Sequence, residues 1–78
     1  MPVSHHHSAV LKAKEVVRIL EHMGFEHVRS HGSHQVFRDA EGRHTIVPVH
    51  QGGDMHPALV RQIAKEIGVS FEEFLSCL

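Results

Sequence analysis

The chain has 78 residues, 41% of them hydrophobic and 22% charged, which suits one small folded domain and excludes both a two-domain protein and a disordered one. Formal net charge is −1 with histidines neutral, so nothing in the overall balance advertises nucleic-acid binding. Cys77, the single cysteine, excludes an internal disulfide and a cysteine-built metal site, and no apolar run is long enough to span a bilayer.

Residues 1–9 read as a flexible leader and 10–78 as one domain, with a cytoplasmic location expected. His5-His6-His7 within the leader reads as a natural segment, a shortened purification tag or a loose metal chelator, and is assigned no function. From Lys12 to Met23, the residues Val16, Ile19, Leu20 and Met23 recur at helical spacing, with Lys14, Arg18 and Glu21 on the other side. Gly24 stands where a left-handed C-terminal residue is wanted. The period then changes. Phe25 to Arg29 and His34 to Arg38 read as strands separated by a turn at Ser30-His31-Gly32-Ser33. Asp39-Ala40-Glu41-Gly42 is a second turn, and His44 to Val49 a third strand rich in β-branched residues. Gln51 to Asp54 reads as a loop. Pro57 opens a second helix carrying Leu59, Val60, Ile63 and Ile67, closed by Gly68. Ser70 with Glu73 forms a capping box that opens a short last helix burying Phe71 and Phe74.

Short connections make the three strands an antiparallel meander. The expected fold is therefore α+β in two layers: order α-β-β-β-α, a three-stranded antiparallel sheet, and a short C-terminal helix. The double-stranded-RNA-binding fold has the same order, which by itself says nothing of function.

Position qualifies the charge balance. Between His27 and Arg61 lie Arg29, Arg38, Arg43 and Arg61 with six histidines, against Asp39, Glu41 and Asp54. Within that stretch, Gly32-Ser33-His34 puts an imidazole at the start of a strand straight after a flexible turn. Imidazole titrates near neutrality and can take a proton from one oxygen and return it to another. RNA carries its own nucleophile, the 2′-hydroxyl, so its cleavage needs proton transfer and charge stabilisation but no metal. Gly32 permits close approach of a phosphate, and Ser33 offers a hydroxyl and an N–H. Arg29 and Arg38 are candidate phosphate ligands through bidentate guanidinium bonds. His50, on the third strand's far end, is a candidate second imidazole. Each has a plainer reading: a structural histidine for His34, a loop-edge histidine for His50, solvated surface arginines for the other two. Phe37 reads as core rather than as a base-stacking platform, and His31 with His34 does not make a metal site.

The ordered set Gly24-Phe25, Gly32-Ser33-His34 with Phe37, Gly42, Val47-Pro48-Val49-His50, Leu59-Val60-Arg61-Gln62-Ile63, Ile67-Gly68 and Glu73-Phe74 resembles the HicA family of toxins, from about Lys12 to Leu75. The resemblance implies an mRNA interferase with a double-stranded-RNA-binding-like fold. It implies a catalytic histidine at His34 preceded by the family glycine at Gly32. It also implies RNA as substrate, a HicB-type antitoxin as partner, and neither metal nor small-molecule cofactor. Pro57-Ala58-Leu59 stands where many relatives have Gly-Thr-Leu, and Gly52, Gly53 and Asp54 replace lysines, which lowers the positive charge there. Two further readings stay open: a non-catalytic RNA-binding module of the same fold, and a protein that acts solely through its antitoxin-like partner.

Overall fold

The computed structural model describes residues 10–49 and 53–78. The leader with His5-His6-His7, and His50, Gln51 and Gly52, lie outside the described residues. The elements run β1 (Leu11–Lys12), α1 (Ala13–His22), β2 (Glu26–His31), β3 (His34–Arg38), β4 (His44–Pro48), β5 (Asp54–Met55), α2 (Pro57–Glu66) and α3 (Phe71–Leu75). The α+β architecture is as expected, with β2, β3 and β4 in one antiparallel sheet in that order.

Helix α1 begins where the Lys12 N–H donates to Glu15 Oε1 at 2.8 Å. It ends in a left-handed turn at Gly24, whose φ of +94° would strain a residue with a Cβ. There the N–H of Phe25 bonds the Leu20 carbonyl at 2.9 Å and that of Gly24 bonds Glu21 at 3.0 Å, satisfying carbonyls the helix leaves open. The expected stripe lies inward: Val16, Ile19 and Leu20 are fully buried, and Met23 packs at the margin. Helix α2 opens on Pro57 and buries Val60, Ile63 and Ala64 on the same core, while Ile67 closes it. The Nδ1 of His56 caps it, accepting from the Ala58 N–H at 3.0 Å. Half of the predicted capping box of α3 is present, the Glu73 N–H donating to Ser70 Oγ at 3.0 Å. Phe74 is buried, but Phe71 is only half-buried, at the edge of the core, with the Arg61 guanidinium 4.7 Å from the centre of its ring.

Several boundaries differ from the sequence reading, β4 ending at Pro48 rather than Val49 among them. The first turn is two residues long, not four, so Ser30 and His31 continue β2 and pair with Gln35 and His34. Phe25 precedes the strand and anchors the core instead. Asp54 belongs to a strand rather than a loop: β1 and β5 pair antiparallel, Leu11 opposite Met55 and Lys12 opposite Asp54. Lys12 Nζ and Asp54 Oδ1 lie 2.6 Å apart across that pair. A two-residue strand carries no periodicity, so only its partner reveals it.

Directly opposed residues in a sheet share a face, and successive rows alternate. The rows Gln35–Val47 and Phe37–Thr45 turn toward the helices, where Phe37 and Val47 are fully buried. The rows His31–His34–Pro48, Arg29–Val36–Ile46 and Glu26–Arg38–His44 turn the other way, where Ile46 remains 47% exposed. Between His27 and Arg29 the ladder slips by one residue, leaving Val28 out of register.

Candidate active site

Gly32 and Ser33 form the loop between β2 and β3. A positive φ of +60° at Gly32, with no positive φ at Ser33, is the pattern of a II′ turn, whose twist matches that of the strands it joins. The tight turn clamps His31 directly opposite His34. On its other side His34 pairs with Pro48, and the Val49 N–H continues the ladder by donating to the Ser33 carbonyl at 2.7 Å. His34 is therefore held by strands on both sides while its side chain stays exposed on the sheet face turned from the helices. Space for a Cβ at Gly32 is open, with no atom within 4 Å, so the glycine is dictated by backbone conformation rather than crowding.

His34 lines a groove of about 580 Å³ along the free edge of β4. The sheet contributes His34, His44, Ile46 and Pro48; α2 contributes Leu59, Gln62, Ile63 and Glu66. The wall is apolar near Ile46, Pro48, Leu59 and Ile63. Its polar end is built by a bond from Thr45 Oγ1 to Glu66 Oε1 of 2.6 Å.

Arg29 and Arg38 sit on the same outward face, two and four residue steps from the His31–His34 row, and both are exposed. Among the described residues neither enters an ion pair, so both guanidiniums are open to an anion. Arg43, by contrast, is committed to the fold. Its Nε donates to Asp39 Oδ2 at 2.7 Å and its Nη1 to the Ile67 carbonyl at 2.7 Å. Phe37 is fully buried, as expected of a core residue. His50 lies outside the described residues. No group of three or more His, Cys, Asp or Glu side chains is assembled for a metal among the described residues.

A family model described as "HicA toxin of bacterial toxin-antitoxin" matches residues 13–69, well over half of the chain. The chain belongs to the HicA toxin family. No curated protein sequence matches it. The matched span of this HicA chain runs from α1 past the end of α2 and so takes in the hairpin, His34 and both walls of the groove. Membership assigns a toxin role within a toxin–antitoxin module, and with it an antitoxin partner. No described helix of the HicA chain is long and apolar enough to cross a membrane.

Three features of this HicA site escape sequence reasoning. His31 was expected in a turn but is a strand residue facing His34. His44 joins the groove because it falls on the row of Arg38. Glu66 and Gln62 reach it from α2, some twenty residues away along the chain. Strand parity was the available signal for the two histidines; for Glu66 and Gln62 there was none.

Proposed function

We propose that this toxin is a metal-independent endoribonuclease acting on mRNA, with His34 as the general base that activates a ribose 2′-hydroxyl. One observation carries the reading: His34 is exposed at a groove of about 580 Å³, on a strand start braced from both sides. General acid–base catalysis asks for a titratable group in a fixed position with access to substrate, and a braced strand meets that condition better than a mobile loop. In this reading Gly32 and Ser33 shape the approach of the phosphate, and Arg29 and Arg38 neutralise it. His50 is retained as a further RNA contact. A HicB-type antitoxin would silence the enzyme by covering the same outward face, and both partners would act in the cytoplasm.

The test is cleavage of a transcript by purified protein in the presence of a chelator. His34→Ala should lower the rate by about 10²–10⁴-fold, the usual contribution of general acid–base catalysis. Wild-type protein that leaves RNA intact, or a His34→Ala variant of undiminished rate, removes the enzymatic reading. Growth arrest on expression, abolished by His34→Ala and relieved by co-expression of the neighbouring reading frame, tests the toxin–antitoxin arrangement. Undiminished RNA binding without cleavage would instead favour a binding module that draws on Arg29 and Arg38.

A further inference from the structure

We propose that His31 is the second imidazole of the reaction, the general acid that protonates the departing 5′-oxygen. This rests on the nuclease reading of His34 and extends it. His31 and His34 flank the two-residue turn and are directly opposed in the ladder. Opposed side chains leave the sheet on one face with Cβ atoms about 4.5–5.5 Å apart. Two rings rooted that closely can stand on either side of one phosphodiester, His34 on the side of the groove and His31 on the side away from it.

The other described histidines do not qualify. His27 is engaged by Ser30 Oγ at 2.7 Å and by the Phe37 ring, with centroids 5.6 Å apart. His56 is spent on capping α2, and His22 ends α1. His44 shares the face but pairs with Arg38, four residues along β3 from His34. At about 3.3 Å per residue that is roughly 13 Å, too far for one phosphate. His31 and His34 are both exposed, and among the described residues neither side chain has a hydrogen bond, ion pair or ring contact.

The surroundings suit an anion. The next row on this face is Arg29–Val36–Ile46, and the row beyond is Glu26–Arg38–His44. Pro48 is the other neighbour of His34, and Glu66 faces the groove from α2. Arg29 is thus the nearest charged group of the ladder to the pair, and the carboxylates stand further off, on the far row and the far wall.

The chemistry balances with two rings. Neutral His34 takes the proton of the 2′-hydroxyl as that oxygen bonds phosphorus. The bond from phosphorus to the 5′-oxygen breaks, and the His31 imidazolium delivers its proton to that oxygen. The products are a 2′,3′-cyclic phosphate and a 5′-hydroxyl, and proton exchange with water returns both rings to their starting states.

The experiment compares wild type, His31→Ala, His31→Gln and His34→Ala on two substrates. One is RNA; the other is a ribonucleoside 3′-(4-nitrophenyl phosphate), whose leaving group departs without protonation. His31→Ala and His31→Gln should cleave RNA about 10²–10⁴-fold more slowly, yet stay near the wild-type rate on the nitrophenyl ester. Their RNA profile should lose the limb that falls at high pH, where an acid must remain protonated. His34→Ala should lose activity on both substrates. Equal losses on both substrates in the His31 variants, or no loss on RNA, overturn the assignment while leaving His34 in place. Wild-type protein inert toward both substrates overturns the nuclease reading and this assignment with it.

Discussion

Thr45 Oγ1 donates to Glu66 Oε1 at 2.6 Å, joining β4 to α2 across the polar end of the groove. Thr45 is 1% exposed, whereas Glu66 is exposed. The bond is thus unequal. With Glu66 in place Thr45 is shielded from water, and Glu66 itself is not.

That asymmetry sets the order of two substitutions. Glu66→Ala strands a buried hydroxyl and should cost about 1–3 kcal/mol. Thr45→Val removes the hydroxyl and leaves a solvated carboxylate, at about 0.5–1.5 kcal/mol. The double variant should lose less than the two single losses combined, since each deletes the same bond. Urea midpoints of the four proteins measure this. A Thr45→Val loss exceeding that of Glu66→Ala would contradict it.

Acid should weaken the β3–β4 turn first. Burial of the Asp39 carboxyl pushes its pKa up. The Arg43 guanidinium, the Arg43 and Glu41 backbone N–H groups and the Arg43 charge outweigh that effect and hold it below the ordinary 3.8. A folded-state pKa lowered in this way gives stability that is present above the unfolded value and is lost as pH falls through the folded one. The urea midpoint of wild type should therefore drop from about pH 4 downward more steeply than that of Asp39→Asn. Parallel curves would show that the carboxylate contributes nothing to acid stability.

At Gly32 the φ of +60° and the open space around the absent Cβ separate conformation from crowding. Gly32→Ala should destabilise by about 1–3 kcal/mol, the ordinary cost of holding an L-residue at a sparsely populated positive φ. Gly32→Asn should cost less, since asparagine follows glycine at the positive-φ positions of hairpin turns. RNA cleavage should stay low in both, since either side chain stands where the phosphate is proposed to approach. Full activity in Gly32→Asn would reduce the glycine's part to turn geometry.

The core and the outward sheet face should respond oppositely. Phe37→Ala should cost about 3–5 kcal/mol, close to all the stability that a domain of this size commands, and leave little folded protein. His34→Ala, at an exposed position, should move the thermal midpoint by no more than about 0.5 kcal/mol allows. Circular dichroism melts of both test the pair. A His34→Ala protein as damaged as Phe37→Ala would mean that the ring supports the fold.

Much of the architecture was legible in the residues themselves. The spacing of Val16, Ile19 and Leu20 marks α1, Pro57 marks the start of α2, and His34 to Arg38 is a strand with the bounds expected of it. These signals are local: a helix or strand face repeats every few residues, and a cap acts within one turn. The motif around His34 was equally visible, through its order along the chain. The pairing of β1 with β5, the meeting of His31 with His34, and the closure of the groove by Glu66 were decided only in three dimensions. Each depends on register or on contact between distant segments. A turn shorter by two residues turned His31 from loop to ladder, and helix-to-sheet packing brought Glu66 to Thr45, which no periodicity along the chain encodes.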